Sequence, residues 1–183
     1  MTARKLLIAA LLAAVAAPSS ASVVVIGNSS ARACFEAADS PLAPDMDDFR
    51  TCDGALRDEA LSQHDIVATH VNRGILRLRR NQVDLALQDF DTAIRMDPSQ
   101  PEAYLNKGAA LMRVDNARDA LPLFTASIER NTTRPELAHY GRAIANETLG
   151  NVRDAYEDYL RASELRPGWQ EPVVELRRFR VVQ

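Results

Sequence analysis

The sequence predicts an all-α protein, a solenoid of stacked helix–turn–helix units with a capping helix at each end. Three observations carry that prediction. The run His70-Val71-Asn72-Arg73-Gly74 returns 34 residues later as Tyr104-Leu105-Asn106-Lys107-Gly108. Asp89-Phe90-Asp91-Thr92-Ala93-Ile94 returns in the same register as Leu123-Phe124-Thr125-Ala126-Ser127-Ile128. The composition, 46% hydrophobic but only 5% aromatic and rich in Ala and Leu, favours helix over strand. At 183 residues the chain is long enough for one domain.

The first element is a leader rather than part of the fold. Arg4 and Lys5 precede an unbroken apolar run over 6–17, and Pro18-Ser19-Ser20-Ala21 supplies small residues at a cleavage site. This three-part layout predicts a signal peptide over 1–21, with a mature start near Ser22. The apolar run is too short to span a bilayer, and no Cys follows it closely to take a lipid. The expected location is therefore periplasmic or secreted, with no stable membrane insertion once the leader is removed. The whole chain carries a net charge of −3; without the leader, 20 basic face 25 acidic residues. An acidic chain without a basic stripe argues against nucleic acid as a partner.

Residues 22–62 read as an N-terminal cap. A short helix over 31–38 holds Cys34, Pro41-Leu42-Ala43-Pro44-Asp45 forms a loop, and a second helix over 47–61 holds Cys52. Two cysteines in an exported chain predict a disulfide, and their spacing rules out a C-x-x-C redox motif. The cap then resembles a degenerate helical pair tied by Cys34–Cys52. The apolar run Val23 to Ile26 is expected to lie extended against the first helix. Ser62 reads as the N-cap of the next helix.

Residues 63–169 resemble the tetratricopeptide repeat family, in which each unit is two packed helices, A and B. That family places a small residue at position 8, Ala at 20, an aromatic at 24, a small residue at 27 and Pro at 32. Unit 67–100 supplies Gly74, Ala86, Phe90, Ala93 and Pro98. Unit 101–134 supplies Gly108, Ala120, Phe124 and Ser127, with Thr132 in place of the proline. Unit 136–169 supplies Ala143, Ala155, Tyr159, Ala162 and Pro167, with Pro135 as an insertion at the junction. The resemblance implies a right-handed superhelix in which the residues at 8 and 20 face each other and the aromatic at 24 fills the space between units. These are structural positions. Pro122 lies inside a helix B and predicts a late start or a kink there. His70 and His139 replace the bulky residue at position 4, and Asn146 replaces a large one at position 11.

Residues 170–183 read as a C-terminal capping helix beginning at Pro172. Val173, Leu176, Phe179 and Val182 recur on one side, while Arg177, Arg178 and Arg180 are expected to stay solvated. Trp169 is expected to anchor the cap.

Stacked units present a concave face lined by helix A. At about 100° per residue, positions 2, 5, 6, 9, 12 and 13 share that face. They make a candidate peptide-binding groove of Asn72, Ile75, Arg79, Asn106, Met112, Arg113, Tyr140 and Ile144. Asn72 and Asn106 repeat at one position, and an amide that donates and accepts at once suits a peptide backbone. Arg79 and Arg113 also repeat and suit a ligand carboxylate. Some family members clamp a C-terminal carboxylate with Lys at position 5 and Asn at 9, but Val71 and Ile75 stand there. His64, His70 and His139 lack metal-ligand spacing, and no phosphate loop or nucleophile elbow occurs. No catalytic residue, metal or cofactor is expected. The function expected is a non-catalytic scaffold for a protein or peptide partner. The alternatives are a structural assembly factor using its caps or convex face and, third, an enzyme or thiol-redox factor.

Overall fold

The computed structural model describes residues 21–25 and 29–179. Residues 1–20 of the leader assigned to 1–21, Ile26 of the apolar run, and Arg180 and Val182 of the C-terminal cap lie outside the described residues. Those described form nine helices and no strand, as an all-α helical repeat requires. The chain divides into two compact units, one ending at Pro98 and the other beginning at Ser99.

The first unit holds α1 (Ser30–Asp39), α2 (Met46–Asp58), α3 (Gln63–Arg79) and α4 (Val83–Met96). Side chains start the first three. Ser29 accepts the Arg32 N–H, and Ser62 accepts the Asp65 N–H. Asp45 and Asp48 form a reciprocal capping box at the start of α2. The α2 helix ends at Asp58, earlier than its sequence pattern implies. Glu59 leaves the helix, and its carboxylate accepts the Ser30 N–H at 2.8 Å, satisfying one orphan donor of α1. The disulfide Cys34–Cys52 joins α1 to α2 with Cα atoms 5.0 Å apart, and both cysteines are fully buried. The α1 helix also packs on α3.

The second unit holds α5 (Pro101–Arg113), α6 (Ala117–Glu129), α7 (Pro135–Leu149), α8 (Val152–Leu165) and the short α9 (Gln170–Leu176). The cap therefore starts two residues before Pro172. Pro135 is the first residue of α7, as Pro101 is of α5, because an N1 proline has no hydrogen bond to lose. In each A-to-B turn the residue at position 15 is left-handed: Asn81 at φ 59°, Asp115 at 58° and Gly150 at 86°.

The close approach of helices A and B involves the aromatic at 24. A Cβ on Gly74 would sit 2.5 Å from the Phe90 ring, and one on Gly108 2.9 Å from Phe124. At Gly74 and Gly108 the space beside position 8 is bounded by the aromatic at 24 of the same hairpin. Phe124 also meets Gly141, where a Cβ would lie 2.5 Å from the ring, so this aromatic does fill the space between consecutive hairpins. Pro122 causes no late start: α6 begins at Ala117, in register with Val83 of α4. The turn lacking a proline at 32 is held differently. Asn131 turns left-handed at φ 59°, and the buried Glu102 carboxylate accepts from the Thr132 hydroxyl and from the Thr133 N–H and hydroxyl.

Candidate functional site

In the first unit the candidate face lies on α3, and it is covered. Asn72 is fully buried, and its amide meets a peptide main chain with both atoms. Its Oδ1 accepts the Val23 N–H at 2.9 Å, and its Nδ2 donates to the Val23 carbonyl at 2.9 Å. The main chain it reads is the protein's own, 49 residues away in sequence. Val23 of the apolar run is thus held on α3, while Ser22 beside it reaches Asp39 at the end of the first helix. Ala21, Val23 and Val25 are buried, while Val24 is 56% exposed. Ser22 closes the near end, its hydroxyl donating to Asp39 Oδ1 at 2.8 Å. Ile75, one turn beyond Asn72, is buried on the same helix. Arg79 does not wait for a ligand carboxylate: its guanidinium donates to the Ala37, Ala38 and Leu42 carbonyls. It thus satisfies orphan carbonyls at the end of α1.

Behind that face, α3 and α4 are tied by a buried ionic cluster. Asp89 accepts from His70 Nδ1 at 3.0 Å, from Arg73 Nε at 3.0 Å and Nη2 at 2.6 Å, and from Arg77 Nη1 at 2.7 Å. Arg73 reaches Asp53 of α2 as well, at 2.7 Å. Burial is the strongest single influence on Asp89 and pushes its carboxyl up. The bonds from His70 and Arg73 and the charges of Arg73 and Arg77 together outweigh it, so the group sits below the ordinary aspartate value. The second unit repeats the device at equivalent positions. Asp158 accepts from His139 Nδ1 and from Arg142 Nε and Nη2, each at 2.8 Å, and from Asn146 at 3.4 Å. Burial pushes Asp158 up, but His139 and Arg142 again hold it below the ordinary value. The histidines at position 4, the arginines at 7 and Asn146 at 11 are thus helix-to-helix ties. Sequence reasoning missed the cluster, though His, Arg and Asp recur together 69 residues on. The middle hairpin has Tyr104, Lys107 and Leu123 at those positions, and Arg130 lies over the Tyr104 ring at 4.4 Å.

In the second unit the candidate residues are spread over two helices, α5 and α7. Asn106 is buried and donates to the Glu102 carbonyl of its own helix at 2.8 Å. Met112 is buried, and Arg113 is half-buried, with burial lowering its pKa. Tyr140 and Ile144 are buried too. Tyr140 packs edge-on against Tyr159 at 5.6 Å and tilted against Trp169 at 4.8 Å. Phe179 adds a further ring against Tyr156 and Tyr159. Trp169 does anchor the cap, and Tyr140 belongs to the seal beneath it. Arg178 is not simply solvated: it pairs with Glu147 at 2.8 Å and with Glu175. Glu147 also accepts the Tyr159 hydroxyl at 2.9 Å. Burial raises the Glu175 carboxyl, against the pull of Arg178, and the like charge of Glu147 adds to the rise.

Among the described residues no group of His, Cys, Asp or Glu is arranged to hold a metal ion. Among them, too, no helix is long and apolar enough to cross a membrane.

Two family models match this chain. One described as TPR repeat matches residues 74–115, and one described as tetratricopeptide repeat matches 108–172. Together they span more than half of it. No curated protein matches. Solved structures do. The crystal structure of MamA shares 18% identity and a TM-score of 0.65, covering 82% of this chain and 82% of that one. The first TPR of Spaghetti (RPAP3), bound to an HSP90 peptide, shares 23% identity and a TM-score of 0.58, covering 61% and 87%. The NMR structure of the first TPR domain of human RPAP3 shares 23% identity and a TM-score of 0.59, covering 63% and 90%. At these identities the likeness is one of fold.

Proposed function

The chain belongs to the tetratricopeptide repeat family, and from that premise we propose that it is a non-catalytic interaction scaffold. In this reading it is exported to the periplasm or beyond, and it takes a peptide or helix of another protein on the helix-A faces of its repeats. The observation that carries the reading is Asn72, a buried amide whose donor and acceptor both serve a peptide main chain. The same fold in the first TPR of Spaghetti was solved with an HSP90 peptide, which is compatible with this use. Val71 and Ile75 replace the Lys and Asn of the carboxylate clamp, so the partner is not read by its C-terminal carboxylate.

The test is capture from an exported protein fraction by the chain from Ser22 and by its Asn72→Ala/Asn106→Ala variant. Both are checked for helix content by circular dichroism. The reading predicts a partner captured by the parent and weakened in the variant. Equal capture by both would move the interaction to the caps or the convex face, and capture by neither would refute it.

A further inference from the structure

We propose that the α3 face around Asn72 is an exchangeable site for an extended peptide, with residues 22–25, the start of the chain once the leader is removed, as its resident occupant. The segment is then a strap, held in cis, that a partner segment of the same chemistry displaces. The partner rests on the interaction reading above; the site is argued from the first unit alone.

The geometry selects the ligand class. The Asn72 amide bonds the N–H and the C=O of one residue, Val23, at 2.9 Å each. In extended backbone these two groups point to the same side, as in a hydrogen-bonded pair of antiparallel strands. In a helix both are already used along the axis. The site therefore takes an extended segment and rejects a helical one. Burial along the strap alternates: Val23 and Val25 face in, and Val24 between them faces out. The inward side chains are small or β-branched and uncharged. The predicted ligand is an extended peptide with Ala, Val or Ile at alternate positions, gripped through its main chain and selected by its inward side chains.

The strap's attachment is consistent with exchange. Its polar grip includes the Asn72 amide and the Ser22–Asp39 bond at an exposed end. Only residues 26–28 separate it from Ser29, the N-cap of α1. A tether this short gives an effective concentration on the order of millimolar. A free peptide must compete against that, so the intact chain binds weakly in trans. A lid meant only to exclude water needs no amide; the second unit seals Tyr140 with Trp169 and uses none.

The probe is a fluorescein-labelled peptide with the sequence of residues 22–26 and a solubilising lysine tail, followed by anisotropy. It is offered to the parent chain, to Val25→Asp, which drives the strap off its apolar seat, and to Val25→Asp/Asn72→Ala. The expected result is binding about tenfold or more tighter to Val25→Asp than to the parent, with the gain lost in the double variant. Equal binding to the parent and to Val25→Asp, or a gain indifferent to Asn72→Ala, would overturn the proposal. If Val25→Asp loses its helical signal, Val23→Pro serves instead, because it removes the N–H that Asn72 accepts. Peptide binding at Asn72 without partner capture would leave this site standing and remove the scaffold reading; capture without peptide binding would do the reverse.

Discussion

In the first unit the face of α3 is covered by main chain: Asn72 holds the Val23 backbone, and a disulfide fixes the two helices alongside. In the second unit the face of α7 is covered by rings: Tyr140 packs on Trp169 and Tyr159, and Phe179 closes over Tyr159. Each solves the problem of a helical repeat's exposed end, but the two covers differ in kind. Rings seal by shape and apolar area, so only the same side chains replace them. An amide reads groups that every peptide carries, so a different segment can take its place. Beneath both covers lies the same ionic tie, Asp89 in one unit and Asp158 in the other. The units therefore diverge in what covers these helix faces and agree in the ionic tie behind them.

The largest effect that separates the units comes from removing that tie. Asp89→Ala leaves Arg73, Arg77 and His70 without their common acceptor, an expected loss of about 3–5 kcal/mol. Asp158→Ala releases a single guanidinium, Arg142, with His139 and Asn146, and is expected to cost less. Urea unfolding of both variants measures the difference, and equal losses would break the ranking. Reduction of Cys34–Cys52 comes next. It frees a loop whose ends are 18 residues apart, expected to cost about 3 kcal/mol in the first unit alone. The one tryptophan, Trp169, lies in the second unit. Its fluorescence transition should hold its midpoint while circular dichroism shows an earlier loss of helix. Asn72→Ala follows, leaving the Val23 N–H and C=O buried without partners at about 1–3 kcal/mol, again without moving the Trp169 transition.

The gentlest effect is on pH. Asp89 and Asp158 both titrate below the ordinary aspartate value of 3.8 in the folded chain. Their contribution is fully present above the ordinary aspartate range and is lost as pH falls through the depressed folded values. Glu175 has the opposite sign, because its folded value is raised from 4.5. Its contribution is present below the ordinary glutamate range and lost as pH rises through the folded value. Glu175→Gln should therefore steepen the acid limb of a stability curve recorded through Trp169, and Asp158→Asn should flatten it.

Much of the frame was legible in the sequence because close packing repeats with the chain. Gly74, Gly108, Phe90 and Phe124 recur every 34 residues, since each hairpin needs a small residue where an aromatic ring lands. Asn72 was legible as a reader of main chain, since a buried amide needs a donor and an acceptor together. Which main chain it reads was not, because Val23 lies outside the repeats and a period says nothing about a segment that does not share it. Arg79 was misplaced for a related reason. Helical phase assigns a residue to a face, but not the neighbour that ends above it, here the carbonyls closing α1. The ionic ties were visible as a recurrence of His, Arg and Asp in the outer repeats. They went unread because position 4 was compared with the aromatic it replaces, not with the aspartate nineteen residues on.

The central claim is that Asn72 holds the Val23 main chain. Native-state hydrogen exchange of the Val23 amide, in the parent chain and in Asn72→Ala, tests it most directly. Strong protection in the parent that disappears in Asn72→Ala, with α7 and α8 protection unchanged, is the predicted result. A Val23 amide that exchanges at the rate of an unstructured peptide in the parent chain would contradict it.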